Sequence, residues 1–268
     1  MKTQELHMSA RNLNYPVIAK DISKWIGEKS LDKWVVNGVS GWVDSAVVST
    51  LSAMSGKALT TLELPIHQKN DEVNRASEHI DWLQAKYSNV TRQLIDLTQV
   101  YDAMQALQYA GDDEASEYLS DVNLRSRIRA AQLYATANRK NAMVVGTGNK
   151  VEDYGIGFFT KFGDGAVDLS PIWELYKSEV YRLWKELWIS ENILNARPTD
   201  GLHLNGATDE DQIGATYDEL EWAMVQYDEW KRVNNFTERA REVMEIYTAR
   251  HEGNAHKMEM PPVFELEI

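Results

Sequence analysis

An alternation of two periods constrains the fold most. "KWVVNGV" (33–39) is a short apolar run ending in turn residues, and "DSAVVSTLSAM" (44–54) behind it repeats its apolar positions at helical spacing. The change recurs along the chain: "ALTTLELP" (58–65) predicts a strand, "DEVNRASEHIDWLQAKY" (71–87) an amphipathic helix and "VTRQLIDL" (90–97) a further strand. Helices over 99–110 and 115–138 and a strand "AMVVGT" (142–147) follow. Strands separated by helices of about ten or more residues cannot be joined as hairpins; they form βαβ units. The expected fold is α/β, a doubly wound parallel sheet with helices on both faces, Rossmann-like, in which ligands sit beyond the C-terminal ends of the strands.

Beyond 147 the spacing predicts a glycine-punctuated loop (155–168), helices near 172–188, 216–230 and 237–250, and a Pro-containing tail. No linker or repeat interrupts the chain, so one domain over residues 1–268 is expected. No stretch approaches the roughly 18 consecutive apolar residues of a membrane span, and "MKTQELHMSARNLNYP" lacks the apolar core of a secretory signal. A cytoplasmic protein without membrane contact is the expectation. Cysteine is absent, which removes disulfides, thiolate zinc sites and cysteine nucleophiles. The net charge of −13 argues against nucleic-acid partners, so any anionic ligand must be held by local positive groups.

Two segments carry the chemistry. "SGWVDS" (40–45) combines serine hydroxyls, backbone N–H groups at a helix N-terminus and an aspartate, Asp44, able to hold Mg²⁺: a set suited to pyrophosphate, or more simply to starting a helix. It is not the common nucleotide loop, since no G-x-x-x-x-G-K-[ST] occurs. "GTGNKVEDYGIGFFTKFGDGAVDLSPIWELYKSEV" (146–180) gathers Thr147, Glu152, Lys161, Asp164, Asp168 and Lys177 among loop glycines, with Glu152 a candidate second metal ligand and the lysines a source of local positive charge. "NLRSRIR" (123–129) adds Arg127, which on its own reads as a solvated helix charge, and "NAHKMEMPP" (254–262) places His256 and Lys257 in a tail expected to fray unless tied down.

Together with "RPTDGL" (197–202) and "TDEDQIGATYDELEWAM" (208–224), these segments resemble, in order and spacing, the ammonia-dependent NAD synthetases, a branch of the ATP pyrophosphatases with an adenine nucleotide alpha hydrolase-like fold. The resemblance implies that Gly38, Val39, Ser40, Gly41, Trp42, Val43, Asp44 and Ser45 enclose the ATP phosphates, with Mg²⁺ on Asp44 and Glu152. Thr147, Lys177 and Thr199 are implied as further ATP contacts, with Asp44, Lys177 and Thr199 serving the chemistry. Arg127, Lys161, Asp168, His256 and Lys257 match positions that hold nicotinic acid adenine dinucleotide (deamido-NAD), and Asp164 falls in the same loop. A homodimer is implied, using ATP, deamido-NAD and free ammonia, since neither a glutaminase domain nor its cysteine nucleophile is present. The implied reaction is ligation through an acyl-adenylate, releasing pyrophosphate and AMP, with the 155–168 loop as a lid against water.

Four of the nine tryptophans break the pattern. Trp34, Trp42, Trp173 and Trp188 stand where relatives carry glycine, while Trp82 and Trp222 lie in contexts that suit tryptophan. Independent drift explains four identical replacements poorly, because tryptophan is the largest residue glycine can give way to and a helix-end glycine often has φ > 0. Some bacterial lineages read UGA as glycine, and a widely used alternative code reads it as tryptophan, so the expectation is that the four are glycines in the living protein. The alternatives are a protein with real tryptophans that serves as a dimeric binding protein, or a related ATP pyrophosphatase that adenylates another acceptor.

Overall fold

A computed structural model describes residue 6 and residues 11–109, 111, 113–190, 209–228 and 236–264. The elements are α1 (Tyr15–Lys29), β1 (Trp34–Gly38), α2 (Val43–Met54), β2 (Leu59–Glu63), α3 (Asn70–Lys86), β3 (Val90–Leu94), α4 (Thr98–Gln105), α5 (Glu114–Lys140) and β4 (Ala142–Val144). A π-helix (Lys150–Gly155), α6 (Lys177–Glu186), α7 (Asp209–Ile213), α8 (Tyr217–Asp228) and α9 (Glu238–Met258) follow. The four strands pair in parallel in the order β3-β2-β1-β4, with Val36 opposite Thr60 on one side and Val144 on the other.

Alternation along the strands divides the core between the two faces of the sheet. Val35, Leu59 and Val90 point into a cluster with Ile26 of α1, Leu51 of α2, Leu83 of α3 and Leu183 of α6. Val36, Leu62 and Val144 point the other way, against Tyr101 of α4 and Ile128 and Ala137 of α5. This is the doubly wound arrangement that the alternating periods predict. A third cluster joins Val151 of the π-helix to Leu220 and Met224 of α8 and Val243 and Tyr247 of α9.

Several boundaries differ from the periodicity for identifiable reasons. Periodicity left α1 unassigned; it starts at an Asn14 cap, whose side chain accepts from Val17 N, with a proline in its first turn. The helix expected from 172 begins only at 177, because Glu179 accepts from Tyr176 N (2.9 Å) and fixes the first turn there. β4 stops at Val144; Val145 and Gly146 instead meet Leu169, which returns the later chain to the sheet edge. The last helix does not end at 250 but runs to Met258, so His256 and Lys257 belong to its final turn rather than to a tail.

Candidate active site

The loop leaving β1 turns at Gly41, where φ is +83° and an added Cβ would lie 3.1 Å from Ala76 N and Glu72 O of α3. Both facts require glycine. Ser45 Oγ accepts from Ser40 N (3.2 Å), lies 3.0 Å from Ser40 Oγ and donates to Trp42 O (3.0 Å), which closes the loop on the N-terminus of α2. Free N–H groups there favour an anion. Trp42 occupies the N-cap position without making a capping bond, and its ring lies 4.7 Å from the Arg75 guanidinium.

Asp44, in the first turn of α2, meets two residues more than 100 positions away. Its Oδ2 accepts from Lys177 Nζ (2.5 Å) and its Oδ1 from Asn149 Nδ2 (3.1 Å). Lys177 opens α6, is only 3% exposed, and donates also to Glu152 Oε1 (2.7 Å), which accepts in turn from Tyr217 OH (2.6 Å). Burial works against the Lys177 charge, but Asp44 and Glu152 outweigh it and hold its pKa well above the ordinary lysine value. The lysine is a fixed cation at physiological pH. Glu152 is presented by the π-helix, whose first N–H groups, of Val151 and Glu152, are capped by the Asn149 side chain (both 3.1 Å).

Asp44, Glu152 and Lys177 line a cavity of about 590 Å³ at the C-terminal ends of the strands, with Asn149 and Tyr217 behind its wall. Residues 38–40 and 42–45, Thr147, Glu152, Asp164, Lys177 and Lys257 reach its wall. Gly41 does not, because it packs on α3. Mg²⁺ bound with nucleotides takes one or two carboxylates and completes its shell with phosphate oxygens and water. Asp44 and Glu152, which share the Lys177 ammonium, are the two carboxylates here that could serve such an ion. Among the described residues no group of three or more His, Asp or Glu is placed to hold a metal by itself.

The remaining expected residues fall into a second group on and beside the 155–168 loop. Arg127 Nε donates to Lys161 O (3.4 Å), Lys161 Nζ donates to His256 O, and Asp164 Oδ1 accepts from Ser126 Oγ (2.6 Å) and Thr160 N (3.0 Å). Lys161 thus links Arg127 to His256 through backbone carbonyls, and none of the three is among the residues lining the cavity. Asp168 is likewise outside the wall; it accepts from Val144 N (2.8 Å) and Tyr134 OH (3.3 Å). Thr199 lies outside the described residues.

Three residues of the site escaped sequence reasoning. Asn149 was legible in principle, as an asparagine three positions before Glu152 at a helix start. Tyr217 sits in a segment that carried the resemblance without a role of its own. Asp153 gave no signal: it is 8% exposed, its carboxylate packs on Gly148, and it accepts no hydrogen bond among the described residues. Burial, followed by Asp164, Glu152 and Asp44, pushes its pKa well above the usual carboxylate range.

Of the four unusual tryptophans, Trp188 is the most informative. It follows the C-cap of α6 with φ +57°, the left-handed conformation that favours glycine at a helix end, and is 83% exposed. Among the described residues nothing in its packing offsets that strain. Trp34 is 43% exposed under Lys140, whose Nζ lies 5.1 Å from the ring centre.

The profile of the NAD synthase family matches residues 16–261. The NH(3)-dependent NAD(+) synthetase of Methanosarcina acetivorans is 36% identical over 238 residues, 86% of this chain and 90% of that protein. Among solved structures, the NMN synthetase of Francisella tularensis aligns with a TM-score of 0.81 at 29% identity, over 95% of this chain and 100% of that one. The NH3-dependent NAD synthetase of Campylobacter jejuni aligns with a TM-score of 0.75 at 26% identity, over 94% of this chain and 100% of that one.

Proposed function

The chain belongs to the NAD synthase family, and from that premise we propose that it amidates deamido-NAD to NAD⁺ with free ammonia, driven by cleavage of ATP to AMP and pyrophosphate. One observation carries this reading: a buried ammonium, Lys177, pinned between Asp44 and Glu152 at the mouth of an anion-binding loop.

The nicotinate carboxylate attacks the α-phosphorus of ATP, the bond to the bridging oxygen breaks, and pyrophosphate leaves toward Ser40–Ser45. The N–H groups at the start of α2 and the Lys177 charge face the oxygens on which negative charge grows. Asp44 and Glu152 would hold Mg²⁺, which would supply further charge neutralisation. Ammonia then attacks the acyl carbon, AMP departs, the amide forms and a proton is released. Little covalent work falls to the protein, so placement of the reactants and exclusion of water by the 155–168 loop carry most of the rate. Arg127, Lys161, Asp168, His256 and Lys257 serve the dinucleotide, and Thr199 completes the ATP contacts. The purified chain, given ATP, Mg²⁺, deamido-NAD and isotopically labelled ammonium, should place the label in the carboxamide of NAD⁺; absence of labelled NAD⁺ from both this chain and its Trp42→Gly variant rejects the reading.

The functional unit is a homodimer. Exposed apolar side chains on and between α4 and α5, Val100, Met104, Leu107, Tyr109 and Leu119, support this, as a partner copy would cover them. Sedimentation should give twice the chain mass. The likeness to an NMN synthetase favours a second reading, amidation of the mononucleotide acid by the same chemistry. Competition between the two acids separates the readings, the larger kcat/KM identifying the substrate.

A further inference from the structure

Helix α9 reaches the lid through a ladder of side chains. His251 Nδ1 lies 2.7 Å from Gly155 O, Asn254 Nδ2 donates to Ile156 O (2.9 Å), and Lys257 Nζ donates to Gly157 O (2.9 Å) and Phe159 O (3.0 Å). Steps of three residues keep 251, 254 and 257 on neighbouring turns of one face. Their targets run almost consecutively along the strip that links Glu152 in the π-helix to Asp164 in the lid. A carbonyl oxygen only accepts, so His251 Nδ1 carries the hydrogen. The approach is close: at Gly157, where φ is +59°, an added Cβ would lie 2.4 Å from Asn254 Cβ.

The ladder also explains an otherwise awkward stretch of backbone. A π-helix leaves its last carbonyls poorly placed for continued helical bonding, and buried carbonyls need donors. Side chains of α9 supply them, and in doing so fix the direction in which the chain leaves Glu152. The ring of His251 is held in turn by Tyr247, stacked at 5.6 Å, and by the edge of Tyr227 at 5.0 Å.

We propose that His251 and Asn254 are positioning residues of the amidation reaction: by donating to Gly155 O and Ile156 O they set the placement of Glu152 on one side and of the lid on the other. The inference rests on the amidation reading for its kinetic consequence, though not for its structural one. Replacing either donor should loosen residues 156–165 while leaving the phosphate loop on α2 intact.

The test compares His251→Leu with His251→Asn, whose side-chain amide places a donor near the position of Nδ1. His251→Leu should lower kcat by roughly tenfold with KM for ATP little changed, and His251→Asn should restore most of it. Hydrogen exchange read on the same proteins should quicken by roughly tenfold over 156–165 in the leucine variant alone, with exchange in α2 unaltered. A folded His251→Leu protein with the wild-type kcat and exchange overturns the proposal. Equal impairment of both variants also overturns it, since packing of the ring would then be the cause. If His251→Leu does not fold, Asn254→Ala takes its place in the same measurements. If neither the parent protein nor its Trp42→Gly variant makes NAD⁺, the amidation reading is rejected, while exchange still decides the placement of the lid.

Discussion

Lys177 Nζ lies 2.5 Å from Asp44 Oδ2, joining the first turn of α6 to the first turn of α2 across 133 positions of sequence. Because Glu152 shares the same ammonium, one lysine sets the spacing of both carboxylates and supplies a positive charge beside the phosphate loop. Lys177→Met should therefore lower kcat by roughly 10²- to 10³-fold, the usual effect of removing one group that stabilises transition-state charge. Initial rates of AMP formation on a protein whose circular dichroism matches the wild type check this. A fall within twofold means that the ammonium serves only the fold.

Trp42 should obstruct the site. Trp42 lines the cavity inside the loop proposed to receive the phosphates, and its ring lies 4.7 Å from the Arg75 guanidinium. Trp42→Gly is expected to raise kcat/KM for ATP by roughly tenfold or more. The codons decide the related question: UGA at positions 34, 42, 173 and 188 is expected, and UGG at these positions ends the idea that they are glycines.

At Trp188 the same replacement should act on stability alone. A left-handed backbone costs a residue with a Cβ about 1–2 kcal/mol, part of which is recovered as unfolded-state entropy. Trp188→Gly should thus stabilise the protein by ~1 kcal/mol in urea unfolding, without changing kcat. A destabilised variant would show that the exposed ring makes contacts worth more than the strain.

His79 gives a pH signature. Burial lowers its pKa to about 4; Nε2 lies 2.9 Å from Ser49 Oγ, and among the described residues Nδ1 has no partner, as suits a neutral ring. The unfolded state takes up its proton near pH 6.5 and the native state only near 4, so between these values the unfolded chain binds more protons. Stability from this group is present above 6.5 and falls by about 3 kcal/mol as pH drops to 4. His79→Phe should flatten that part of the profile in denaturant unfolding at several pH values; an unchanged slope assigns it to other groups.

What was legible in the sequence follows from the range of the forces involved. The alternating periods specified the parallel sheet and the two-faced core, because strand and helix periodicity are local properties read over a few residues. The start of α6 differs because capping by Glu179 depends on a partner that periodicity does not see, and the end of α9 differs because the helix runs through Gly253 to Met258. Within the site, Asp44, Glu152 and Lys177 could be named individually from their motifs. Their meeting at one ammonium could not, since it depends on how α2, α6 and the π-helix converge. Arg127, Lys161 and His256 were expected as ligand contacts and are found bonded to one another beside the lid, a placement set by α5 and α9 packing on either side of it.

The most direct test follows NAD⁺ and AMP together in one reaction of the purified chain with ATP, deamido-NAD and ammonium, with Mg²⁺ present and after its chelation. Equal amounts of NAD⁺ and AMP, both abolished by chelation and restored by added Mg²⁺, are predicted. AMP formed without NAD⁺ would identify a different acceptor for the adenylate, and neither product, including from the Trp42→Gly protein, would contradict the assignment of this site to ATP-driven amidation.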